Sequence, residues 1–439
     1  MKNWLLALLV IAAVIVFVSP GIVGHLAERQ LRQNTDWADQ ENPDIAFTTE
    51  SFDRGWFSSE GRHRLSLQGT NQPAALGTTA GGAAPSIVFD TRIDHGIVPF
   101  TSLSGSSGSL KPGLARTVTT VQLDPGNGEL VPLPGAIRSE ISLGGETIGQ
   151  YLLEAGTYEN AGVNAEWAGA DVSFQLNPAE AFLSADGDVQ AFSMRSDDGT
   201  LSIDAIAFSG VQTRTPFGFN VGTGHLQMGK ITVHDPLGNV SGIDRFNIDA
   251  NTGLTDQRVS GRSTVEFGAT ALPNFGDLAF KLDVVANDID AASLGRIATA
   301  MRNARSGYNQ GQVMAGIFPA IEADLQRLVT AGMEIRIEQL DMSLPQGEVA
   351  SKISIALPES DASADFSWPG VLLALQADAD LSVSAALVEM AQAMNPQAAA
   401  VVEMGFLVQN GENYEMQAEF AAGLLSINGI PMPIPMPGM

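Results

Sequence analysis

Histidines are the first residues to consider for metal chemistry, because the sequence contains no cysteine. That absence removes disulfides, thiolate metal sites, iron–sulfur clusters and cysteine nucleophiles together. No two histidines have the i, i+4 helical spacing of a zinc-binding helix. We therefore expect each of the five to be solvated or structural: His25, His63, His95, His225 and His234.

Two acidic segments have the spacing of calcium-loop fragments, Asp186-Gly187-Asp188 and Asp197-Asp198-Gly199. Neither continues into the alternating oxygen ligands and the downstream glutamate of a complete loop. Turn formation explains both segments better, since Asp and Gly favour tight turns. The sequence thus predicts no metal site.

Nucleophile and nucleotide motifs are also incomplete. Ser104–Gly108 is a flexible run rather than the strand-to-helix turn of a serine hydrolase. Gly222-Thr223-Gly224 lacks the third glycine and the helix of a dinucleotide fingerprint. Carboxylates are so frequent in this acidic chain that no particular pair indicates a glycosidase. We predict that the protein is not an enzyme, and we assign no catalytic, cofactor-binding or metal-binding residue.

One short segment, Arg54-Gly55-Trp56-Phe57, combines a cation with two aromatic side chains. In the structural interpretation, which we favour, Gly55 supplies a positive φ in a turn while Trp56 and Phe57 cover the end of a sheet. In the functional interpretation, Arg54, Trp56 and Phe57 form an interface with lipid or with a partner protein. These three residues are the candidate interface.

The charge balance disfavours partners that need a basic surface. The chain has 23 Lys and Arg against 49 Asp and Glu, a formal charge of −26. Such a chain is not expected to bind nucleic acid, and an anionic membrane leaflet would repel it. Attachment to a membrane must therefore come from apolar sequence.

An apolar run at the N-terminus can supply that attachment. Trp4 to Val23 is interrupted mildly by Ser19-Pro20-Gly21, and at about 1.5 Å per residue it makes roughly 30 Å of helix, which matches the hydrocarbon core of a bilayer. We assign residues 1–33 to a transmembrane anchor and a following polar helix, in the inner membrane of a Gram-negative cell with the N-terminus inside and the bulk of the chain in the periplasm. A cleaved signal peptide is the alternative, which Pro20 disfavours.

Residues 43–290 have the pattern of a β-rich region. Ile45, Phe47 and Thr49 alternate with the residues between them, which predicts a strand with two distinct faces. Gly-rich turns separate further strand-like segments: Ser86–Asp94, Thr200–Phe208 and Leu278–Val285. Short connections of this kind favour antiparallel strands over a parallel α/β sheet, which would need helical crossovers.

Residues 291–439 are predicted to be a helical insert followed by a C-terminal hairpin region. Apolar residues at helical spacing predict helices over Ala291–Asn303, Gln312–Ala331 and Val383–Met394. Around an Asn410-Gly411 turn the chain returns to strand, with alternating apolar residues: Tyr414, Met416, Ala418 and Phe420.

The four prolines of the tail, Ile430–Met439, favour a polyproline-like extension over a central strand. The predicted fold class is α+β and mostly antiparallel β: an N-terminal transmembrane helix, then a long curved β-meander with a few late helices.

Four segments resemble the YdgA-like family of bacterial envelope proteins, whose function is unknown. They are the anchor with Pro20 and Gly21, the run Phe52–Ser59, the segment Ile93–Gly96 and the closing Ile427–Pro431. The resemblance spans the chain in outline and implies a periplasmic, inner-membrane-anchored, β-rich protein. It brings no catalytic residues. The fold style is also similar to anchored envelope proteins with long curved sheets, some of which are thought to carry lipid.

Two functions follow from these observations. In the first, an apolar sheet face binds lipid or an envelope protein partner, without catalysis and without a cofactor. In the second, the apolar faces are used in self-association, and the chain is a structural homodimeric envelope module with no ligand. A continuous apolar groove open to solvent would favour the first, and a self-complementary patch the second.

Overall fold

A computed structural model describes residues 45–55, 58–67, 86–95, 99–101, 110–124, 130–160, 163–196, 199–272, 276–305, 310–360 and 366–432. The predicted anchor and polar helix, residues 1–33, lie outside the described residues. None of the described helices has the length and apolar character needed to span a bilayer.

The described residues are dominated by β-strands. The strands of the first part of the chain are β1 (Ile45–Arg54), β2 (Ser58–Leu67), β3 (Ser86–His95), β4 (Pro99–Thr101), β5 (Leu110–Asp124), β6 (Val131–Ser142), β7 (Thr147–Leu153), β8 (Gly156–Asn160), β9 (Val163–Trp167), β10 (Ala170–Asn177), β11 (Phe182–Val189), β12 (Phe192–Ser196) and β13 (Gly199–Ile203).

The later strands are β14 (Ile206–Arg214), β15 (Asn220–Met228), β16 (Ile231–His234), β17 (Val240–Thr255), β18 (Arg258–Leu272), β19 (Gly276–Asp290), β20 (Met333–Leu344), β21 (Gly347–Leu357), β22 (Gln376–Ser384), β23 (Val408–Asn410), β24 (Asn413–Ala421), β25 (Leu424–Ile427) and β26 (Ile430–Met432). The helices are α1 (Ala291–Arg305), α2 (Gln310–Thr330), α3 (Trp368–Ala374), α4 (Ala385–Met394) and α5 (Pro396–Glu403).

The chain divides into two compact units. The first comprises residues 1–156 and 168–189, and the second comprises residues 157–167 and 190–439. Every pair of described strands with a defined register is antiparallel within each unit, which confirms the predicted mostly antiparallel β class.

In the first unit the strands pair in the order β1, β2, β3, β5, β6, β7, β10, β11, with β4 adding to the start of β5. Its described core is a cluster of Ile93, Ala115 and Ile141, flanked by Phe52 and Leu114. Ile93 and Ala115 are 1% and 0% exposed, so this part of the sheet has a fully buried side.

In the second unit β17 is the branch point. Its first residues pair with β16, and its later residues pair with β15, which pairs in turn with β14. From the other edge of β17 the sheet continues through β18, β19, β20, β21, β22, β24, β25 and β26. Beyond β16 it continues through β13, β12 and β9.

A β-bulge explains how β20 keeps one apolar side. Its sequence places Ile335 and Ile337 two residues apart, and then Leu340 three residues later. The pairing register with β21 shifts between Ile337 and Leu340, so the extra residue is absorbed and both side chains stay on the same face.

Helices α1 and α2 follow β19 and precede β20. The Asp290 side chain accepts a hydrogen bond from the Ser293 backbone N–H, 2.8 Å, which caps α1. Arg296 on α1 and Arg327 on α2 both donate to Oδ1 of Asp324, at 2.6 and 2.8 Å. The two helices are thus joined by a shared carboxylate.

Three predicted elements differ from the structure. The predicted strand Thr200–Phe208 is two strands, β13 and β14, separated at Asp204-Ala205. The predicted helix Val383–Met394 begins at Ala385, because Val383 pairs with Tyr414 at the end of β22. Asp186-Gly187-Asp188 lies inside β11 rather than in a turn, because all three residues pair with β10.

The proline-rich tail also differs at its start. Ile430–Met432 forms the short strand β26, with Pro431 opposite Ser426. Proline is tolerated there because, among the described strands, β26 pairs with β25 alone and needs no ladder donor on its other side. The rest of the tail, residues 433–439, lies outside the described residues.

Candidate binding face

Apolar side chains line up across the second unit because the strand registers place them directly opposite one another. The first row crosses nine strands from β14 to β24: Ile206, Met228, Phe246, Phe267, Phe280, Met342, Val349, Val383 and Tyr414. The second row runs beside it: Phe208, Leu226, Ile248, Val265, Leu282, Leu340, Ser351, Leu381 and Met416. We call these two rows the apolar face.

The apolar face is continuous. Neighbouring strands lie about 4.8 Å apart, so nine strands extend over about 38 Å, which exceeds the roughly 30 Å hydrocarbon thickness of a bilayer. Phe267 and Phe280 are in ring contact near its middle, with centroids 5.1 Å apart. The second row contains one polar residue, Ser351.

Every side chain of the apolar face is half-buried, and none is fully buried. A sheet face covered by a second layer would have fully buried side chains, as Ile93 has in the first unit. A large apolar surface that remains accessible marks a site for lipid, ligand or partner binding.

The opposite side of the same strands is charged. Arg262 donates two hydrogen bonds to the carboxylate of Asp283, one of them from Nε at 2.9 Å, and it also lies 3.1 Å from Glu338. Arg245 and Glu266 pair at 2.6 Å. The alternation of the strands therefore separates a charged side from the apolar face.

The first unit has a different inward side, which is rich in hydroxyl groups. Thr91 and Thr119 are hydrogen-bonded at 2.9 Å across β3 and β5, and Thr117 and Ser139 at 2.6 Å across β5 and β6. All four are buried. These pairs satisfy polar groups between strands, so this region is a structural core and not an accessible face.

Serine and histidine are brought together at two places, and neither arrangement is a complete catalytic site. Ser59 Oγ lies 3.0 Å from His95 Nε2, but the two residues are only 2% and 3% exposed, so a substrate cannot reach them. On the charged side of the second unit, Ser209, His225 and Asp249 are directly opposed on β14, β15 and β17.

That exposed series has one of the two bonds that a triad needs. His225 Nδ1 lies 2.6 Å from Asp249 Oδ1, which would orient the imidazole. Ser209 makes no hydrogen bond to His225 in the described part of the chain. Sequence reasoning missed this series, because only the strand register brings the three residues together. Across the described residues, no group of three or more His, Asp or Glu side chains is placed to hold a metal ion.

The candidate interface of Arg54, Trp56 and Phe57 is described in part. Arg54 is exposed at the end of β1, where it lies opposite Ser59 in the antiparallel pair of β1 and β2. Trp56 and Phe57 lie outside the described residues, so their role stays a prediction. The predicted positive φ of Gly55 is wrong, because this residue is not in the left-handed region. A Cβ at position 55 would lie 2.6 Å from the Ser58 carbonyl oxygen, so the close approach of these two backbone segments requires a glycine.

Comparison with known proteins identifies a family. The family model described as "Bacterial protein of unknown function (DUF945)" matches residues 1–435. No curated protein and no solved structure matches the chain.

Proposed function

We propose, from the premise that the chain belongs to the bacterial family DUF945 of unknown function, that it is a non-catalytic protein of the cell envelope that binds lipid acyl chains along the apolar face. The resemblance to YdgA-like envelope proteins supports this placement. The apolar run Trp4–Val23 anchors the chain in the inner membrane, and the part of both units that follows it lies in the periplasm.

The observation that carries the proposal is the half-burial of both rows of the apolar face. Acyl chains are flexible and apolar, and they can follow a row of side chains without forming hydrogen bonds. Burial contributes about 25 cal/mol per Å² of apolar surface. A face that is long, apolar and accessible therefore has the chemistry needed to hold hydrocarbon.

Photo-crosslinking tests the proposal. Cells would be supplied with a fatty acid that carries a diazirine in its acyl chain, and crosslinked peptides of the full chain would be mapped by mass spectrometry. We expect crosslinks on strands β17 to β22 and on the N-terminal segment, which serves as an internal control. Crosslinks restricted to the N-terminal segment would contradict the proposal.

A matched pair of variants sharpens the test. Phe280→Asp puts a charge into the first row, whereas Ala279→Asp puts the same charge on the exposed opposite side of the same strand. We expect Phe280→Asp to remove the crosslinks of the sheet and Ala279→Asp to keep them. If the chain is instead a homodimeric module, Leu282→Cys in this cysteine-free sequence should give a disulfide-linked dimer, and the sheet should not react with lipid.

A further inference from the structure

The short helix α3 exposes an unusual amount of apolar surface. Trp368, Leu372 and Leu373 are 40%, 37% and 49% exposed, and none of the seven residues of the helix is buried. The segment Phe366–Gln376 that contains it has no charged residue, although the whole chain carries a charge of −26.

The helix nevertheless begins with a well-formed N-terminal cap. The Ser367 side chain accepts a hydrogen bond from the Gly370 backbone N–H at 3.1 Å, and Pro369 lies in the first turn, where no N–H partner is needed. The ring of Trp368 meets Phe366 edge to face, with centroids 5.1 Å apart. The apolar side chains are thus held outward by a defined local structure.

The position of α3 relates it to the apolar face. The helix leads directly into β22, whose second residue, Ala377, lies opposite Ile355 on one side and Phe420 on the other. These are the strand ends at one margin of the sheet. Leu424, in the next hairpin at the same margin, is 50% exposed.

We infer that α3 is a membrane-docking element that inserts Trp368, Leu372 and Leu373 into the interfacial region of a lipid bilayer. Tryptophan next to aliphatic residues is the composition that favours this depth. The absence of charge across the segment means that no ion has to be desolvated on insertion.

The exposed area favours a bilayer over a protein partner. The three side chains offer on the order of 200–300 Å² of apolar surface, whereas a stable protein interface takes about 800 Å² from each partner. A bilayer needs no matching shape, so a small apolar patch is sufficient. The inference goes beyond lipid binding by the apolar face and concerns where the second unit meets a membrane.

The cysteine-free sequence allows a site-specific test. Leu373→Cys, labelled with an environment-sensitive fluorophore, would be studied in the full chain incorporated into phosphatidylcholine vesicles with brominated acyl chains. The matched control is Leu237→Cys, which is 88% exposed in the turn between β16 and β17. We expect bromine to reduce the emission at position 373 by about half or more, with little effect at position 237.

A second variant separates docking from chance contact. Leu372→Ser changes an exposed residue, so the β-signal in circular dichroism should be unchanged while the quenching at position 373 falls. Equal quenching at positions 237 and 373 would overturn the inference. Fluorophore emission at position 373 that increases with protein concentration and is not quenched by bromine would also overturn the inference, because a second copy of the chain would then be the partner. Neither result would alter crosslinking on the apolar face, which tests a different surface.

Discussion

His63 is a buried histidine on β2, 3% exposed, with Nδ1 lying 3.1 Å from the hydroxyl of Thr49. Burial lowers the pKa of the His63 imidazole, and the negative charge of Asp90 opposes this only in part. The folded chain therefore keeps His63 neutral at a pH where the unfolded chain would protonate it.

This difference predicts a pH dependence of stability. An unfolded histidine binds its proton near pH 6.5, so the free energy of unfolding should fall as the pH decreases below about 6.5, by at most about 1.4 kcal/mol per pH unit for this residue. Urea unfolding at pH 7.5 and 5.5 measures the effect. His63→Gln should flatten the difference.

Asp90 affects the stability of the folded chain in a separate pH range. Hydrogen bonds from Arg62 lower the pKa of its carboxyl group. The stability that this contributes is lost only as the pH falls below about 4. An equal slope between pH 7.5 and 5.5 in the native chain and in His63→Gln would show that His63 is not the residue responsible.

At the scale of elements, helix α1 packs against the turn between β14 and β15 at a glycine, Gly295. A Cβ on Gly295 would lie 2.2 Å from the backbone carbonyl oxygen of Phe217, in the turn between β14 and β15. Backbone cannot move aside as a flexible side chain can. The helix therefore packs closely against this turn because position 295 has no side chain.

Gly295→Ala should destabilise the second unit, although alanine raises helix propensity by about 1 kcal/mol. Overpacking of this kind costs about 1–3 kcal/mol, so we expect a lower melting temperature. Gly253→Ala is the matched control, since a Cβ on that β17 residue meets nothing within 4 Å. Equal melting temperatures for the two variants would contradict the docking role.

The elements were predictable where a local pattern specified them. Alternation of Tyr414, Met416, Ala418 and Phe420 predicted β24, and helical spacing predicted α1 and α2 within a few residues. The start of α4 was not predictable, because Val383 fits a helix locally and is held in β22 only by its pairing with Tyr414. The α3 helix has only seven residues, about two turns, and its apolar residues form no periodic pattern long enough to detect.

At the scale of the whole molecule, charge sets how lipid would be held. With a net charge of −26, attraction to anionic headgroups is unfavourable, so affinity for the apolar face must come from burial of hydrocarbon. Binding of a fluorescent fatty acid should therefore be nearly constant from low to physiological ionic strength, where the Debye length shortens to about 8 Å. A steep fall in affinity over that range would reveal a local basic site.

The apolar character of the candidate binding face could be predicted from the sequence, but the number of strands that it crosses could not. Alternation within a strand shows which residues share a side, and the sequence predicted an apolar sheet face. How far that face extends depends on pairings such as Phe280 with Met342, which bring together strands that α1 and α2 separate in sequence. The candidate interface around Trp56 came from composition alone, and it stays a prediction.

The half-burial of the apolar face has a thermodynamic consequence for the free protein. The heat-capacity change of unfolding comes mainly from apolar surface that becomes hydrated, and an ordinary domain gives about 12–15 cal/mol/K per residue. Here part of that surface is already hydrated in the native state. The second unit should therefore have a smaller heat-capacity change per residue and a flatter dependence of stability on temperature, until bound hydrocarbon covers the rows and restores the ordinary value.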